Sequence, residues 1–174
     1  YMFHGGTNFG FMNGCSARGT IDLPQITSYD YDAPLDEQGN PTEKYFALQK
    51  MLHEEYPALP QAEPLVKDSF AQTAIPLTNK VSLFATLETI SQPVVSVYPQ
   101  TMEQLGQNTG YLLYRTSIEK DAAEEKLRVI DGRDRLQLFV NQVHQATQYQ
   151  TEIGEDIYVT LPQENNQIDV LIEN

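Results

Sequence analysis

The sequence predicts a mainly β protein: a jelly-roll-like β-sandwich preceded by the last strand–loop–helix unit of a (β/α)8 barrel. Two observations carry this. Before the prolines of residues 57–64, a short apolar strand is followed by a long loop marked by glycine and proline, then by one helical apolar face. That order is the βα unit of an α/β barrel, where functional groups gather on the loops after the strands. After those prolines the apolar period becomes two, in short runs separated by turn residues, as in a sandwich. The domain boundary is therefore expected at the linker 57–64, with a barrel remnant over 1–60 and an all-β domain over 61–174.

Residues 1–4 read as a short strand ended by Gly5-Gly6, a pair that lets the backbone turn and approach another group closely. The chain opens inside this strand, so the domain is expected to start before residue 1. Residues 7–41 have no sustained period and contain Gly10, Gly14, Gly19, Pro24, Pro34, Gly39 and Pro41. They are expected to form one long loop, and loops of that length are often functional. Thr42 is the expected N-cap of a helix with Glu43 in its first turn. Phe46, Leu48, Met51 and Leu52 form its apolar face with Tyr45 at the edge, and Pro57 and Pro60 stop it.

Beyond the linker, strands are expected at 80–87, 111–116, 135–140, 143–146, 156–161 and 167–172. The run from Tyr111 to Thr116 reads as a more fully buried strand than 80–87, which alternates as a half-buried one. Asn141-Gln142 reads as a two-residue hairpin turn without the usual glycine.

The chain has 174 residues and 40% hydrophobic content, enough for a folded core. With 11 Lys+Arg and 24 Asp+Glu, its formal net charge is −13. Such a surface repels phosphate backbones and anionic lipid, so neither nucleic acid nor a membrane is expected as a partner; a neutral sugar is compatible. Cys15 is the single cysteine, so no intrachain disulfide can form. Its Asn13-Gly14-Cys15-Ser16 setting reads as loop, and the thiol as incidental. No apolar run approaches the roughly 18 residues that span a bilayer. The first residues lack the basic and long apolar regions of a secretory leader. Localisation stays open.

Two stretches have a composition a core does not ask for: Tyr1-Met2-Phe3-His4-Gly5-Gly6-Thr7-Asn8-Phe9-Gly10 and Thr27-Ser28-Tyr29-Asp30-Tyr31-Asp32-Ala33-Pro34-Leu35. Aromatic, amide and small residues together suit a sugar pocket, with rings for pyranose faces and short polar groups for hydroxyls. If the second stretch is extended, Tyr29 and Tyr31 share one side and Asp30 and Asp32 the other. Those tyrosines then either face a ligand or pack the loop, with the aspartates capping turns beside Pro34. Glycoside hydrolysis with retention needs two carboxylates about 5 Å apart. No pair among Asp22, Asp30, Asp32, Asp36, Glu37, Glu43, Glu54 and Glu55 stands out, and all read as solvated. His4, His53 and His144 are scattered, so no metal site is expected. The Gly-Gly-Thr-Asn run lacks the Lys-Ser/Thr of a phosphate loop, and no cofactor is expected.

The two stretches, with Asp36-Glu37 and Thr42-Glu43-Lys44-Tyr45, closely resemble the end of the catalytic barrel of glycoside hydrolase family 35 β-galactosidases. The likeness continues in Ser96-Val97-Tyr98-Pro99, Met102-Glu103-Gln104-Leu105-Gly106-Gln107, Gly110-Tyr111-Leu112-Leu113-Tyr114-Arg115 and Leu171-Ile172-Glu173-Asn174. The resemblance implies a (β/α)8 barrel followed by β-rich domains, the first a galactose-binding-like sandwich. It implies removal of terminal β-linked galactose with retention, through a glutamate nucleophile and a glutamate acid/base. Both belong to earlier barrel strands, so no catalytic residue is assigned here and the chain alone is expected to be inactive. The resemblance places Tyr31 against the bound galactose, with Tyr29 supporting the pocket wall. The expected ligand of the full-length enzyme is a β-galactoside. Alternatively the β-domain is a non-catalytic carbohydrate-binding module or a structural brace. Tyr111 and Tyr114 lie in an apolar run that suggests burial, which favours the brace. Alone, the chain should expose barrel-facing apolar surface and self-associate through its first 60 residues.

Overall fold

The computed structural model describes residues 2–174; Tyr1, the first residue of the expected opening strand, lies outside them. The chain forms two compact units, one of residues up to Ser16 with Leu23–Leu77, the other of Ala17–Asp22 with Thr78–Asn174.

In the first unit, β1 (Gly6–Thr7) pairs antiparallel with β4 (Ser28–Tyr29), Gly6 opposite Tyr29 and Thr7 opposite Ser28. Among the described residues of the expected strand over 1–4, a parallel bridge joins His4 to Leu35. The Gly5 N–H donates to the Leu35 carbonyl at 2.8 Å and the Leu35 N–H to the Phe3 carbonyl at 3.0 Å. The segment's neighbour here is its own returning loop, which follows it for only a few residues. The expected structureless loop also contains a hairpin, β2 (Cys15–Arg18) with β3 (Ile21–Pro24), turned at Gly19 with φ 66°. Glycine takes that left-handed conformation at little cost.

Helix α1 runs over Glu43–Glu55 from the expected cap Thr42. The Thr42 hydroxyl does not cap it. It donates to the Pro34 carbonyl at 2.8 Å, and the Thr42 N–H reaches the same oxygen at 2.9 Å. One threonine thus ties the helix start to the end of the aromatic loop. The Tyr56 N–H closes the last turn on the Leu52 carbonyl just before Pro57. Every residue of α1 keeps some exposure, and Phe46 is 47% exposed.

The second unit is the sandwich. Strands β5 (Tyr111–Glu119), β7 (Arg135–Val140), β8 (Val143–Tyr149) and β10 (Asn165–Glu173) form an antiparallel sheet in the order β5-β10-β7-β8. A second sheet pairs β6 (Glu124–Leu127) with β9 (Ile157–Thr160). Leu136, Leu138 and Val140 alternate inward on β7 and meet Ile157 and Val159 of β9, with Leu161, Ile168, Ile172 and Met102 completing the core. A period of two with one buried face produces this arrangement.

Three expectations are corrected. Residues 80–87 do not form a strand: α2 spans Leu83–Ile90 after Ser82. Leu83, Phe84 and Leu87 also satisfy a helical period, and the Thr86 hydroxyl turns back onto the Leu83 carbonyl at 2.9 Å. Phe84 then meets Phe139 edge-on at 5.1 Å and lies under the Arg115 guanidinium at 5.9 Å. Second, the run from Tyr111 is not fully buried, because β5 is a sheet edge; Tyr111 is 45% exposed, and Tyr114 is part-buried with its hydroxyl on the Gln100 carbonyl at 2.7 Å. Third, β6 lies outside every expected strand; its Glu-Glu-Lys-Leu sequence becomes a strand by pairing with β9. The Asn141-Gln142 turn is as expected, with φ 48° and 66°. Among the described residues, no helix is long and apolar enough to cross a membrane.

Candidate functional site

The aromatic loop is held from both ends by backbone and short side chains. Gly5 and Gly6 are buried. A β-carbon on Gly6 would sit 2.6 Å from Cζ of Tyr29, so the Tyr29 ring lies directly on that glycine. A β-carbon on Gly5 would come 3.2 Å from the Asp30 backbone and 3.3 Å from that of Asp36. The paired glycines are therefore needed for close approach, as the sequence suggests.

The segment 29–32 is not extended. Tyr31 and Asp32 have φ 53° and 54°, the left-handed region that costs a non-glycine residue about 1 kcal/mol or more. This turn brings the Ala33 N–H to the Asp30 carbonyl at 3.2 Å and to Asp30 Oδ1 at 3.3 Å. The two tyrosines still come together, their ring centroids 6.1 Å apart at 40°. A turn, not strand alternation, places them side by side. Tyr29 is part-buried, while Tyr31 is 69% exposed and offers its ring outward.

The carboxylates around these rings are engaged. Lys44 Nζ reaches Asp32 Oδ2 at 2.5 Å and also bonds its carbonyl. Asp36 Oδ1 accepts from the N–H groups of Gln38 at 2.9 Å and Asn40 at 2.8 Å, closing a turn at Gly39. Glu37, expected to be merely solvated, accepts two hydroxyl bonds: Thr7 Oγ1 donates to Oε2 at 2.9 Å and Ser28 Oγ to Oε1. Nothing in the sequence alone marks Thr7 and Ser28 as partners of this carboxylate. A hydroxyl beside each aromatic stretch is too common a pattern to mark them without the pairing of β1 with β4.

Asn40 fastens the next segment. Its Oδ1 accepts the Lys67 N–H at 2.7 Å, its Nδ2 donates to the Lys67 carbonyl at 3.1 Å, and Lys67 Nζ donates to the Gln38 carbonyl at 2.7 Å. His4 is exposed, with Nε2 near Gly39. A shallow cavity of about 360 Å³ lies between α1 and residues 61–63; Phe46, Lys50 and His53 line it, Tyr29 and Tyr31 do not. Among the described residues, no three His, Cys, Asp or Glu side chains converge as metal ligands do.

Residues 1–55 match the family model of glycosyl hydrolases family 35, and residues 99–174 that of the first all-beta domain of beta-galactosidase. The chain belongs to glycosyl hydrolase family 35. A beta-galactosidase of Xanthomonas manihotis is 37% identical over 177 residues, covering 100% of this chain and 29% of that protein. The beta-galactosidase-1-like protein of Mus musculus is 34% identical over 179 residues, covering 100% of this chain and 27% of its own length. The beta-galactosidase of Homo sapiens is 40% identical over 126 residues, 71% of this chain and 18% of that protein. The chain spans less than a third of the length of these family 35 relatives.

Proposed function

We infer that this chain supplies one wall of the galactose site of a retaining exo-β-galactosidase, with Tyr31 facing the sugar and Tyr29 behind it. The observation that carries this is the tyrosine pair: an outward ring at Tyr31, backed at 6.1 Å by a ring seated on Gly6. An aromatic face with a hydroxyl tip suits a pyranose.

The chain by itself does not hydrolyse galactosides on this reading. Retention needs two carboxylates in suitable relation to the sugar. Asp30, Asp32, Asp36 and Glu37 are occupied by backbone N–H groups, Lys44, Thr7 and Ser28. The two catalytic glutamates of the family match no residue here. The division at 57–64 into a barrel remnant (1–60) and an all-β domain (61–174) is part of the same proposal; residues after it, through Leu77, stay with the first unit, where Asn40 holds Lys67. The all-β domain acts as a brace, not a sugar binder, because its inward residues are spent on its own core. The exposed Phe9, Phe46, Met51 and Leu52 make the isolated chain self-associate.

The test is release of nitrophenol from a nitrophenyl β-galactoside. The full-length enzyme turns over, Tyr31→Phe turns over more slowly, and the purified 174-residue chain releases nothing above background. Turnover by the chain alone refutes its inactivity; wild-type kinetics in Tyr31→Phe refute the assignment of Tyr31.

A further inference from the structure

Glu37 joins two short strands whose pairing is continued by one backbone bond, from the Asn8 N–H to the Thr27 carbonyl at 2.7 Å. Thr7 and Ser28 are directly opposite in the pairing of β1 with β4. Each hydroxyl donates to a different oxygen of the one carboxylate, Thr7 Oγ1 to Oε2 at 2.9 Å and Ser28 Oγ to Oε1. Each of these strands has two residues. Even with the bond from Asn8 to Thr27 the ladder is short, and isolated strand pairs are marginal even when longer, so a further tie across it strengthens its register. Its other rung is Gly6 opposite Tyr29, with the Tyr29 ring lying on Gly6. The carboxylate thus closes one rung, and the base of the tyrosine pair is the next.

We propose that Glu37 is a positioning residue, a clamp that fixes β1 on β4 and thereby sets Tyr29 and, through it, the galactose-facing ring of Tyr31. The proposal rests on the reading of Tyr31 given above. The chemistry asks for a carboxylate. Two donors converge on it, and an ionised carboxylate offers two acceptor oxygens and no competing donor, in bonds strengthened by its charge. A glutamine keeps one acceptor oxygen and turns a donor toward the second hydroxyl. An alanine leaves both hydroxyls without the clamp. Because Glu37 is exposed, losing it leaves the hydroxyls to water and does not open a core.

The experiment is steady-state kinetics of the full-length enzyme on a nitrophenyl β-galactoside, with galactose as competitive inhibitor. The variants are Glu37→Ala, Glu37→Gln, Thr7→Val, Thr7→Ser, Glu37→Ala with Thr7→Val, and Tyr31→Phe. Glu37→Ala raises KM and the galactose inhibition constant together by about tenfold, with kcat within about twofold, as expected when binding is lost uniformly. Glu37→Gln and Thr7→Val each cost about threefold, and Thr7→Ser behaves as wild type. Adding Thr7→Val to Glu37→Ala costs nothing further, because the shared bond is already gone. A merely structural role would lower the melting temperature and the amount of active enzyme without this split. Wild-type KM in Glu37→Ala and Thr7→Val, or fully additive losses in the double variant, overturns the clamp if Tyr31→Phe is impaired. Wild-type kinetics in Tyr31→Phe overturn the reading of Tyr31 and the clamp with it. If Glu37→Ala does not fold, the contrast between Thr7→Val and Thr7→Ser decides.

Discussion

Arg115 and Asp169 are paired across neighbouring strands, Nε to Oδ1 at 2.6 Å and Nη2 to Oδ2 at 3.3 Å, with Asp169 fully buried. They are cross-strand partners of β5 and β10. Gln167 Nε2 donates to the same carboxylate at 2.6 Å, and Phe84 of α2 lies under the guanidinium. The pair therefore organises the sheet face opposite the core.

Asp169→Asn should destabilise the chain by about 2 kcal/mol. The range for breaking a buried pair is higher, but Arg115 is half in water and recovers hydration when its partner is neutralised. Urea unfolding checks it, with the midpoint lowered and the slope unchanged. An unchanged midpoint contradicts the role given to the pair.

Gly6→Ala should cost less than about 1 kcal/mol of stability yet disturb the site. The new methyl meets the far end of the Tyr29 side chain, which can swing away, so the ring and not the backbone gives. In the full-length enzyme KM for a β-galactoside should rise while the melting temperature barely moves. A large fall in melting temperature with normal KM would mean that the ring cannot move.

Gln142→Gly should stabilise the chain by about 0.5 kcal/mol. Gln142 is exposed at φ 66° in a two-residue turn, where glycine is unstrained. The gain is partly offset by the greater freedom of glycine in the unfolded chain. Asn141 should not be exchanged: its Nδ2 donates to buried Asn166 Oδ1 at 3.0 Å, and its Oδ1 accepts the Gln167 N–H at 2.9 Å. Thermal melts of both glycine variants compare the two positions, with Gln142→Gly higher and Asn141→Gly lower than wild type.

Asp156 should contribute acid-sensitive stability. The Arg128 hydrogen bond, helped by Lys126, holds its carboxyl below the ordinary 3.8. A carboxyl lowered on folding stabilises the protein above its unfolded value, and that stability is lost as pH falls through the folded value. The gap in melting temperature between wild type and Asp156→Asn should therefore be widest near neutral pH and close as the pH falls below the ordinary 3.8 and through the lowered folded value. A gap that widens toward acid would reverse the sign.

Much of this was legible in the residues. The alternation of Leu136, Leu138 and Val140, the turn at Asn141-Gln142 and the helix between Thr42 and Pro57 each depend on local geometry or on a one-face period. The family was also legible, because two long stretches of the first segment carry it. The apolar spacing of residues 80–87 fits strand and helix equally, and only the contact of Phe84 with Phe139 and Arg115 shows which face is used.

What the sequence determined by itself is therefore what neighbouring residues decide among themselves: the periods, the turns, the helix ends and the presence of Tyr29 and Tyr31. The tertiary structure decided what distant residues do together. Tyr29 rests on Gly6, Glu37 takes hydroxyls from Thr7 and Ser28, and charged β6 becomes a strand because β9 lies beside it. The physical reason is that a hydrogen bond or a ring contact depends on distance in space, and separation along the chain does not record that distance until the fold sets it.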